Sequence, residues 1–301
     1  MSRTEEALVI AHDAGAAEII GAYIRAHTKN FRYSIYAAGP AAKIFKRLGL
    51  SFGPVRDDRA YIARIIDSHK GARFALLGTG WMTTIDTLAL KAAKMVGLKS
   101  IAYLESWGDY RIRFGYPHRD WRALVPDELW CGDSHALKLA KKYFPKIPVR
   151  LVPNLYLRGS IERTRALRRR SAPTDVLFLS RPNAHSDALA EEIAENLSKR
   201  KNPPVLRIRL HPAEKSSAWV DALARKYRGR VRIRRSQTSD IARDLSRARA
   251  VVGKETVAMV ISSRAGIRTI RIVKRGDRAY LPYKSIILAH DAAAAVQILP
   301  K

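Results

Sequence analysis

The chain has 301 residues, of which 47% are hydrophobic. It is therefore long enough for two ordinary domains, and its composition excludes a disordered polybasic chain. Its single cysteine, Cys131, excludes an internal disulfide framework and a cysteine-rich zinc site. Because we find neither an apolar run of about 18 residues nor a secretory signal pattern, we expect a cytoplasmic protein.

The charge is strongly positive, since 56 Lys and Arg oppose 27 Asp and Glu to give a net charge of +29. Such an excess predicts polyanionic partners or an anionic membrane surface, although an arginine-favouring proteome would produce the same number. Two segments concentrate the charge: residues 158–170 and residues 225–235.

Short apolar runs alternate with amphipathic stretches, a pattern typical of βα units and parallel sheets. In the first half of the chain, we expect strands at residues 7–11, 33–38, 73–77, 99–104, 128–131 and 149–152. Helices are expected at residues 16–28, 41–48, 84–96 and 134–143. This regular alternation predicts a Rossmann-like lobe.

Residues 158–173 interrupt this rhythm. The segment is rich in arginine, has no apolar stripe and ends in Ser-Ala-Pro, which predicts a solvated linker. Beyond it, strands are expected at residues 175–179, 205–210, 231–234, 250–252 and 268–272. Helices are expected at residues 186–200, 218–227, 241–248 and 256–264.

The sequence therefore predicts an α/β protein with two Rossmann-like lobes that face each other across a cleft. The expected division is an N-terminal lobe at residues 1–157, an Arg-rich linker at 158–173 and a C-terminal lobe at 174–301. Because open parallel sheets bind ligands at the carboxyl ends of their strands, residues that directly follow strands are the candidates for a site.

Two turns of the first lobe follow strands in this way and are candidates for a site. His12, Asp13 and Gly15 follow the first strand and open a helix, where a glycine admits a ligand and the helix N-terminus favours an anion. Alternatively, Asp13 only caps the helix and His12 is a structural turn residue. Gly78 begins a Gly-Thr-Gly-Trp turn that ends at Trp81, which suits a sugar or phosphate and equally a plain tight turn.

The loop after the fourth strand carries the densest set of functional groups. It contains Glu105, Trp107, Asp109, Arg111 and Arg113. Aromatic faces suit sugar rings, carboxylates suit hydroxyls or general-base work, and arginines suit phosphate. The alternative is that the aromatic residues only pack and the charges pair with one another.

Two strand ends of the second lobe could hold a phosphate. Arg181 follows the first strand there and could pair with a diphosphate. His211 and Pro212 end the second strand, where the proline stops the hydrogen-bond ladder and holds the imidazole at the strand tip.

Lys254, Glu255 and Thr256 follow a later strand of the second lobe and open a helix. The backbone amides at that helix start, together with Thr256, predict a phosphate pocket. We find no GxGxxG or Walker pattern, which disfavours ordinary dinucleotide or P-loop chemistry. Metal-dependent transferases typically carry an Asp-x-Asp pair; here only the adjacent Asp57 and Asp58 come near that pattern.

Several of these segments resemble GT-B proteins. Residues 205–212 resemble the His-Pro motif of GT-B transferases that use cytidine-linked donors, in which His-Pro contacts the donor phosphate. Residues 104–114 and 126–156 resemble segments of bacterial GT-B-like proteins. Residues 253–270 resemble the segment that holds the donor phosphates and ribose in glycosyltransferases and UDP-N-acetylglucosamine 2-epimerases. This chain departs from the pattern at Ile261, or at Val260 in the nearest register, where a Glu is common, and at Arg268, where a Pro is usual.

The resemblance implies a glycosyltransferase that needs no cofactor or metal. Its donor would be a CMP-, CDP- or UDP-linked sugar, held by Arg181, His211, Pro212, Lys254, Glu255 and Thr256. The candidate bases are Asp13, Glu105 and Asp109, and the acceptor-side residues are His12, Gly15, Gly78, Trp107, Arg111 and Arg113.

The basic charge extends this expectation to partners. It suggests an anionic glycan or lipid acceptor and peripheral association with the inner membrane, and nucleic acid is a less favoured partner because no zinc finger or aromatic-rich RNA signature is present. Two alternatives stay open: a nucleotide-sugar hydrolase or epimerase, and a catalytically divergent GT-B-like protein that binds nucleotides or polyanions.

Overall fold

The computed structural model describes residues 5–80, 83–182, 185–212, 214, 216–277 and 279–300. The chain divides after Tyr156 into two compact units. Each unit is built around one parallel β-sheet flanked by helices. The predicted α/β class with two Rossmann-like lobes is therefore confirmed.

The first unit contains a seven-stranded sheet in the order β3-β2-β1-β4-β5-β6-β7. Its strands are β1 (Glu6–Ala11), β2 (Arg32–Ala37), β3 (Gly53–Pro54), β4 (Phe74–Leu77), β5 (Ser100–Leu104), β6 (Glu128–Cys131) and β7 (Val149–Leu151). Its helices are α1 (Ala14–Ala26), α2 (Gly39–Arg47), α3 (Arg59–Ser68), α4 (Ile85–Met95) and α5 (Ser134–Tyr143). Two 3-10 turns, Ile112–Phe114 and Trp121–Leu124, lie between β5 and β6.

Strand β1 is the centre of this sheet because it pairs in parallel with both β2 and β4. Its residues from Ala7 to Ala11 are completely buried, as expected for a strand covered by helices on both faces. Small residues such as Ala16 and Ala17 on α1 let that helix approach the sheet closely. The carboxyl end of β1 is thereby held rigidly where His12 and Asp13 follow.

The second unit contains a six-stranded sheet in the order β10-β9-β8-β11-β12-β13. Its strands are β8 (Asp175–Leu179), β9 (Leu206–Arg209), β10 (Ile233–Arg235), β11 (Ala248–Gly253), β12 (Arg268–Ile272) and β13 (Ile287–Ala289). Its helices are α6 (Leu155–Arg168), which begins just before the division, α7 (Ser186–Ser198), α8 (Ala218–Lys226), α9 (Ile241–Arg247), α10 (Val257–Arg264) and α11 (Ala292–Ile298).

Both sheets reverse strand order beside their first strand, between β1 and β4 and between β8 and β11. In open α/β sheets, ligands bind outside the carboxyl ends of strands at such reversals. In the second unit, Gly253 ends β11, and a Cβ atom there would lie 2.5 Å from the Leu179 carbonyl oxygen at the end of β8. Only glycine allows this close approach at the reversal.

The segment predicted as a solvated linker is a helix for most of its length, because α6 covers residues up to Arg168. Its long side chains bind the second unit: Arg163 pairs with Asp240 at 2.8 Å, and Arg168 donates to the Ala248 carbonyl at 2.5 Å. Thr164 is its only buried residue. The helix is held by guanidinium contacts instead of an apolar stripe, so hydropathy did not indicate it.

In the described part of the chain, no helix combines the length and apolar character that a bilayer crossing requires.

Candidate functional site

Asp13 lies at the N-cap of α1, at the carboxyl end of β1. Its side chain makes no capping hydrogen bond to that helix; instead, Asp13 Oδ1 lies 2.8 Å from His12 Nδ1. The two side chains are 13% and 21% exposed, so both reach the surface of the unit from a partly buried position. The predicted capping alternative therefore does not account for the Asp13 carboxylate.

The turn after β4 packs between two carboxyl groups. A Cβ atom at Gly80 would lie 2.8 Å from Asp13 Cγ, and a Cβ atom at Gly78 would lie 3.2 Å from Asp86 Oδ2. Asp86 also accepts a 2.6 Å hydrogen bond from the Gly80 amide. The turn must therefore be glycine-rich for steric reasons, and Trp81, which ends the motif, lies outside the described residues.

Asp86 lies on the buried face of α4 and is 3% exposed. Burial raises the pKa of its carboxyl group to about 7, and the negative charges of Asp13 and Glu105 add to this increase, whereas the Gly80 amide and His12 oppose it. Asp86 Oδ1 is buried without a hydrogen-bond partner. Three carboxyl groups thus interact at the ends of β1, β4 and β5.

Glu105 is held by an ion pair with Arg113. Arg113 Nη1 donates to Glu105 Oε1 at 2.8 Å and to the Thr79 carbonyl at 2.6 Å, and both charged side chains are 11% exposed. Glu105 Oε2 is buried without a partner, next to Gly15, where a Cβ atom would approach it to 2.1 Å. Arg113 thus fixes Glu105 against the glycine turns, in line with the mutual-pairing alternative.

The remaining loop residues separate into packing and exposed positions. Trp107 is buried and donates from Nε1 to Asp133 Oδ2 at 2.7 Å. The Arg111 guanidinium lies over the Tyr143 ring at 5.2 Å. Asp109 is exposed and adopts a left-handed backbone conformation. These three residues are not brought into the carboxylate cluster.

The adjacent carboxylates of Asp57 and Asp58 accept hydrogen bonds at the N-termini of helices. Asp58 accepts from the Tyr61 amide at 2.6 Å and caps α3. Asp57 accepts from the Thr84 amide at 3.1 Å, and hydrogen bonds from Thr84 hold the pKa of Asp57 below its usual value. Within the described residues, no group of three or more His, Cys, Asp or Glu side chains has an arrangement that could hold a metal ion.

In the second unit, three cations interact beyond the ends of β8, β11 and β12. Burial lowers the pKa of Lys254, and the positive charges of Lys274 and Arg181 lower it further. Cations brought together at the carboxyl ends of parallel strands favour an anion that would neutralise them. Arg181 and Lys254 were predicted as site residues; Lys274 was missed, although its place two residues after β12 was an available signal.

Helix α10 begins beside these cations. Thr256 is its N-cap residue, yet its hydroxyl makes no capping hydrogen bond and is buried without a partner. The Glu255 carboxylate is engaged within the protein. It accepts hydrogen bonds from Arg271 Nη1 at 2.9 Å and from the Tyr280 and Leu281 amides at 2.6 and 3.0 Å. The predicted Lys254-Glu255-Thr256 pocket thus contains two residues that could serve an anion and one whose oxygens are engaged within the protein.

His211 lies at the tip of β9, half-buried, and Pro212 follows it at the surface. The His211 amide donates to Ser180 Oγ at 2.9 Å and to Glu214 Oε1 at 3.1 Å. Ser180 directly precedes Arg181, so these hydrogen bonds join the His-Pro turn to the loop that carries Arg181.

A cavity of about 390 Å³ opens beside this loop. Arg181 and Glu214 line it together with Trp219, which supplies an aromatic wall, and with the start of α7 at Ser186. Arg181 and Glu214, which accepts a hydrogen bond from the His211 amide, therefore border a space large enough for part of a nucleotide-sized ligand.

No protein-family model and no curated protein sequence matches the chain. Its fold is similar to UDP-GlcNAc 2-epimerase from Methanocaldococcus jannaschii in complex with UDP-GlcNAc and UDP, with a TM-score of 0.71, 12% identity, and coverage of 97% of this chain and 91% of that chain. UDP-GlcNAc 2-epimerase from Neisseria meningitidis bound to UDP-GlcNAc has a TM-score of 0.70 and 12% identity, with coverage of 97% of this chain and 90% of that chain. Anabaena HepE in complex with UDP and glucose has a TM-score of 0.64 and 9% identity, with coverage of 98% of this chain and 89% of that chain.

The chain has the GT-B fold. At identities this low, the similarity shows a shared fold, and the chemistry has to be inferred from the residues of this chain. Within its GT-B architecture, the chain concentrates carboxyl groups in the first unit (Asp13, Asp86 and Glu105) and cations in the second (Arg181, Lys254 and Lys274).

Proposed function

We propose that this protein is a glycosyltransferase that uses a nucleotide sugar. The second unit binds the donor phosphates, and a carboxylate of the first unit accepts the proton of the acceptor hydroxyl. That hydroxyl attacks the anomeric carbon while the bond from this carbon to the phosphate oxygen breaks, so the nucleotide leaves with the electron pair. Cations at the phosphates stabilise the developing charge without a metal.

The observation that carries this proposal is the group of three cations around the N-terminus of α10. Burial and, after it, the neighbouring cations lower the pKa of Lys254, so a phosphate that neutralises the cluster would stabilise the charged lysine. The helix N-terminus and the unpartnered Thr256 hydroxyl offer hydrogen-bond donors to the same anion. The bound UDP-GlcNAc of the Neisseria epimerase, and the UDP and glucose of HepE, support a nucleotide sugar as the ligand.

For the base, Asp13 and Glu105 are favoured over the exposed Asp109. Both are partly buried at strand ends, and each has a fixed orientation, Asp13 beside His12 and Glu105 on Arg113. A positioned carboxylate contributes roughly 100- to 10,000-fold to proton transfer. Asp13 is the better candidate because the Glu105 charge is already compensated by an arginine.

A second candidate, epimerisation of the nucleotide sugar, is favoured by one observation. Epimerases move protons on the sugar itself and need several carboxyl groups, and three interact in the first unit. The two reactions differ in their requirement for an acceptor, since only transfer depends on one.

We further propose that the acceptor is an anionic lipid or glycan and that the protein associates with the inner membrane surface. Three large apolar side chains of the first unit are exposed around the turn Trp121–Leu124 and form what we call the apolar patch: Met95 (78%), Ile112 (55%) and Tyr116 (44%). The same segments carry the exposed cations Lys91, Lys94, Arg111, Arg119 and Arg122, against the acidic Asp109 and Asp120. Exposed apolar side chains accompanied by an excess of cations suit an anionic bilayer surface.

The donor site is tested by thermal unfolding with CMP, CDP, UDP and GDP. A nucleotide that binds only the folded protein raises the Tm. We expect one of them to stabilise the wild type, and we expect Lys254→Ala and His211→Ala to weaken its binding by about tenfold or more, the effect of losing a charged hydrogen bond. Lys201→Ala, which removes an exposed lysine from the turn after α7, is the matched control and should bind normally.

The chemistry is tested with the nucleotide sugar of whichever nucleotide binds. Asp13→Asn should retain nucleotide binding and lose at least about 100-fold in turnover. Release of nucleotide only with an acceptor present supports transfer, whereas a new sugar epimer without acceptor supports the second candidate. If no nucleotide stabilises the protein and it binds random DNA in a salt-sensitive manner, the proposal fails.

A further inference from the structure

Asp86 is a carboxyl group in a place where carboxylates are rare. It occupies the first turn of α4 on the same face as the buried Ile85, Ala89 and Leu90, and it is 3% exposed. No lysine or arginine forms an ion pair with it among the described residues. A buried carboxylate without a cation is costly, so this environment favours the uncharged acid.

The surroundings of Asp86 point to the same state. Two carboxylates, Asp13 and Glu105, and one imidazole, His12, are the charged neighbours that act on it, together with the Gly80 amide dipole. Ionisation of Asp86 would place a third negative charge among them. Burial and these neighbours raise its pKa to about 7.

The hydrogen bonds assign the proton to one oxygen. Asp86 Oδ2 accepts from the Gly80 amide at 2.6 Å, whereas Oδ1 is buried without a partner. A proton on Oδ1 therefore leaves the bond to Gly80 intact. Gly80 is the residue against which the Asp13 carboxylate packs, since a Cβ atom at Gly80 would lie within 3.0 Å of both Asp13 oxygens.

We propose that Asp86 is a positioning residue for Asp13: as an uncharged acid it anchors the Gly80 amide, and the anchored turn supports the Asp13 carboxylate without repelling it. This inference rests on the proposed function in naming Asp13 as the base. Asp86 would act on Asp13 in two ways: its hydrogen bond to the Gly80 amide fixes the turn, and its lack of charge adds no repulsion to the Asp13 carboxylate.

The pH dependence follows from the direction of the shift. The folded protein keeps a proton on Asp86 that the unfolded chain releases near its ordinary pKa of 3.8. The stabilisation from this proton is therefore complete below about 3.8, declines as the pH rises from there, and is fully lost above about 7. This is opposite to the usual behaviour of an aspartate in an ion pair.

The test compares the wild type with Asp86→Asn and Asp86→Ala in Tm and in turnover across the pH range on both sides of neutrality. Asparagine mimics the uncharged acid and still accepts from Gly80, whereas alanine removes the acceptor. Relative to Asp86→Asn, the wild type should lose Tm as the pH rises from about 4 to about 7, and should lose kcat as the pH rises through about 7. Asp86→Ala should have a lower Tm and a lower kcat at every pH, with the KM for the donor unchanged.

Two results overturn the inference. If Asp86→Asn and the wild type share one dependence of Tm on pH, Asp86 is not an uncharged acid. If their Tm profiles differ but their kcat profiles are identical, Asp86 does not act on Asp13. Absence of any turnover in the wild type would instead count against the proposed function, and the comparison of Tm values would still decide the protonation state.

Discussion

At the scale of single residues, close packing between glycines and carboxyl groups distinguishes this protein from a generic Rossmann-like unit. Gly15 packs on Glu105, Gly78 on Asp86 and Gly80 on Asp13. Each glycine leaves room for an oxygen where any side chain would displace it. The glycines therefore determine where the acidic groups of the first unit lie.

Gly80→Ala should destabilise the protein and displace Asp13. The added methyl group would lie 2.8 Å from the Asp13 carboxyl carbon, closer than van der Waals contact permits. We expect a loss of about 1–3 kcal/mol in unfolding free energy, typical of overpacking. Denaturant unfolding measures this change.

Gly71→Ala provides the matched control, because nothing lies within 4 Å of a Cβ atom at that position. It should change stability by no more than about 0.5 kcal/mol. Equal effects of the two substitutions would mean that backbone entropy, and not contact with Asp13, sets the cost at Gly80.

Sequence patterns reach some of these residues and miss others for a physical reason. Asp13 and Glu105 directly follow strands, so topology alone predicts their position at a sheet edge. Asp86 lies in the first turn of α4, beyond the strand end that the prediction considered. The available signal was a carboxylate among apolar residues on the inner face of an amphipathic helix, which is unusual unless the group has a special environment.

At the scale of elements, the start of α10 has two tasks. Lys254 and Thr256 belong to the proposed donor site, while Glu255 binds Arg271 and the backbone of residues 280 and 281. The Glu255 and Arg271 side chains are only 8% and 14% exposed. Glu255 therefore ties both β12, through Arg271, and the segment that follows β12, through the two backbone amides, to the beginning of the helix.

Glu255→Gln should lower stability and leave nucleotide affinity unchanged. Removing one partner leaves the Arg271 charge buried without its carboxylate, which typically costs about 3–5 kcal/mol. Thermal unfolding and nucleotide titration measure the two effects separately. Weaker nucleotide binding with unchanged stability would instead assign Glu255 to the donor site.

Glu191→Gln is the control for this substitution. Glu191 pairs with Lys226 at the surface, where both side chains are about half exposed. Screening by water makes such pairs weak, so the Tm of this variant should match that of the wild type.

Whether a strand or helix could be predicted from the sequence depended on how clear its pattern of apolar residues is. The strands expected between residues 7 and 272 are present, because buried parallel strands produce clear apolar runs. The elements β3 and β13 were missed because they have two and three residues. Helices α3 and α11 were not assigned, and α6 resembled a linker because guanidinium groups hold it.

At the scale of the whole molecule, the net charge of +29 requires an explanation beyond the donor site. Some cations are used internally: Arg207 pairs with Asp175, and Arg209 pairs with Asp244 at 2.5 Å. Most of the cluster at residues 225–235 is exposed. A salt-sensitive attraction to anionic surfaces follows from this excess regardless of which ligand the site binds.

Vesicle binding separates this general attraction from a specific role of the apolar patch. We expect the protein to sediment with vesicles of phosphatidylglycerol in phosphatidylcholine and not with pure phosphatidylcholine, because cations provide the long-range attraction. The double variant Ile112→Ser with Tyr116→Ser should weaken this binding by about tenfold or more, since burial of such a side chain contributes roughly 1.5–3 kcal/mol.

The controls remove equivalent groups elsewhere. Leu151 and Leu288 are 52% and 42% exposed outside the patch, so Leu151→Ser and Leu288→Ser should bind vesicles like the wild type. Replacing Arg228 and Arg230 by Ser tests charge without apolar contact and should alter mainly the salt dependence. If the patch variant binds normally while this arginine variant does not, the membrane is recognised by charge alone, and the apolar patch has another partner.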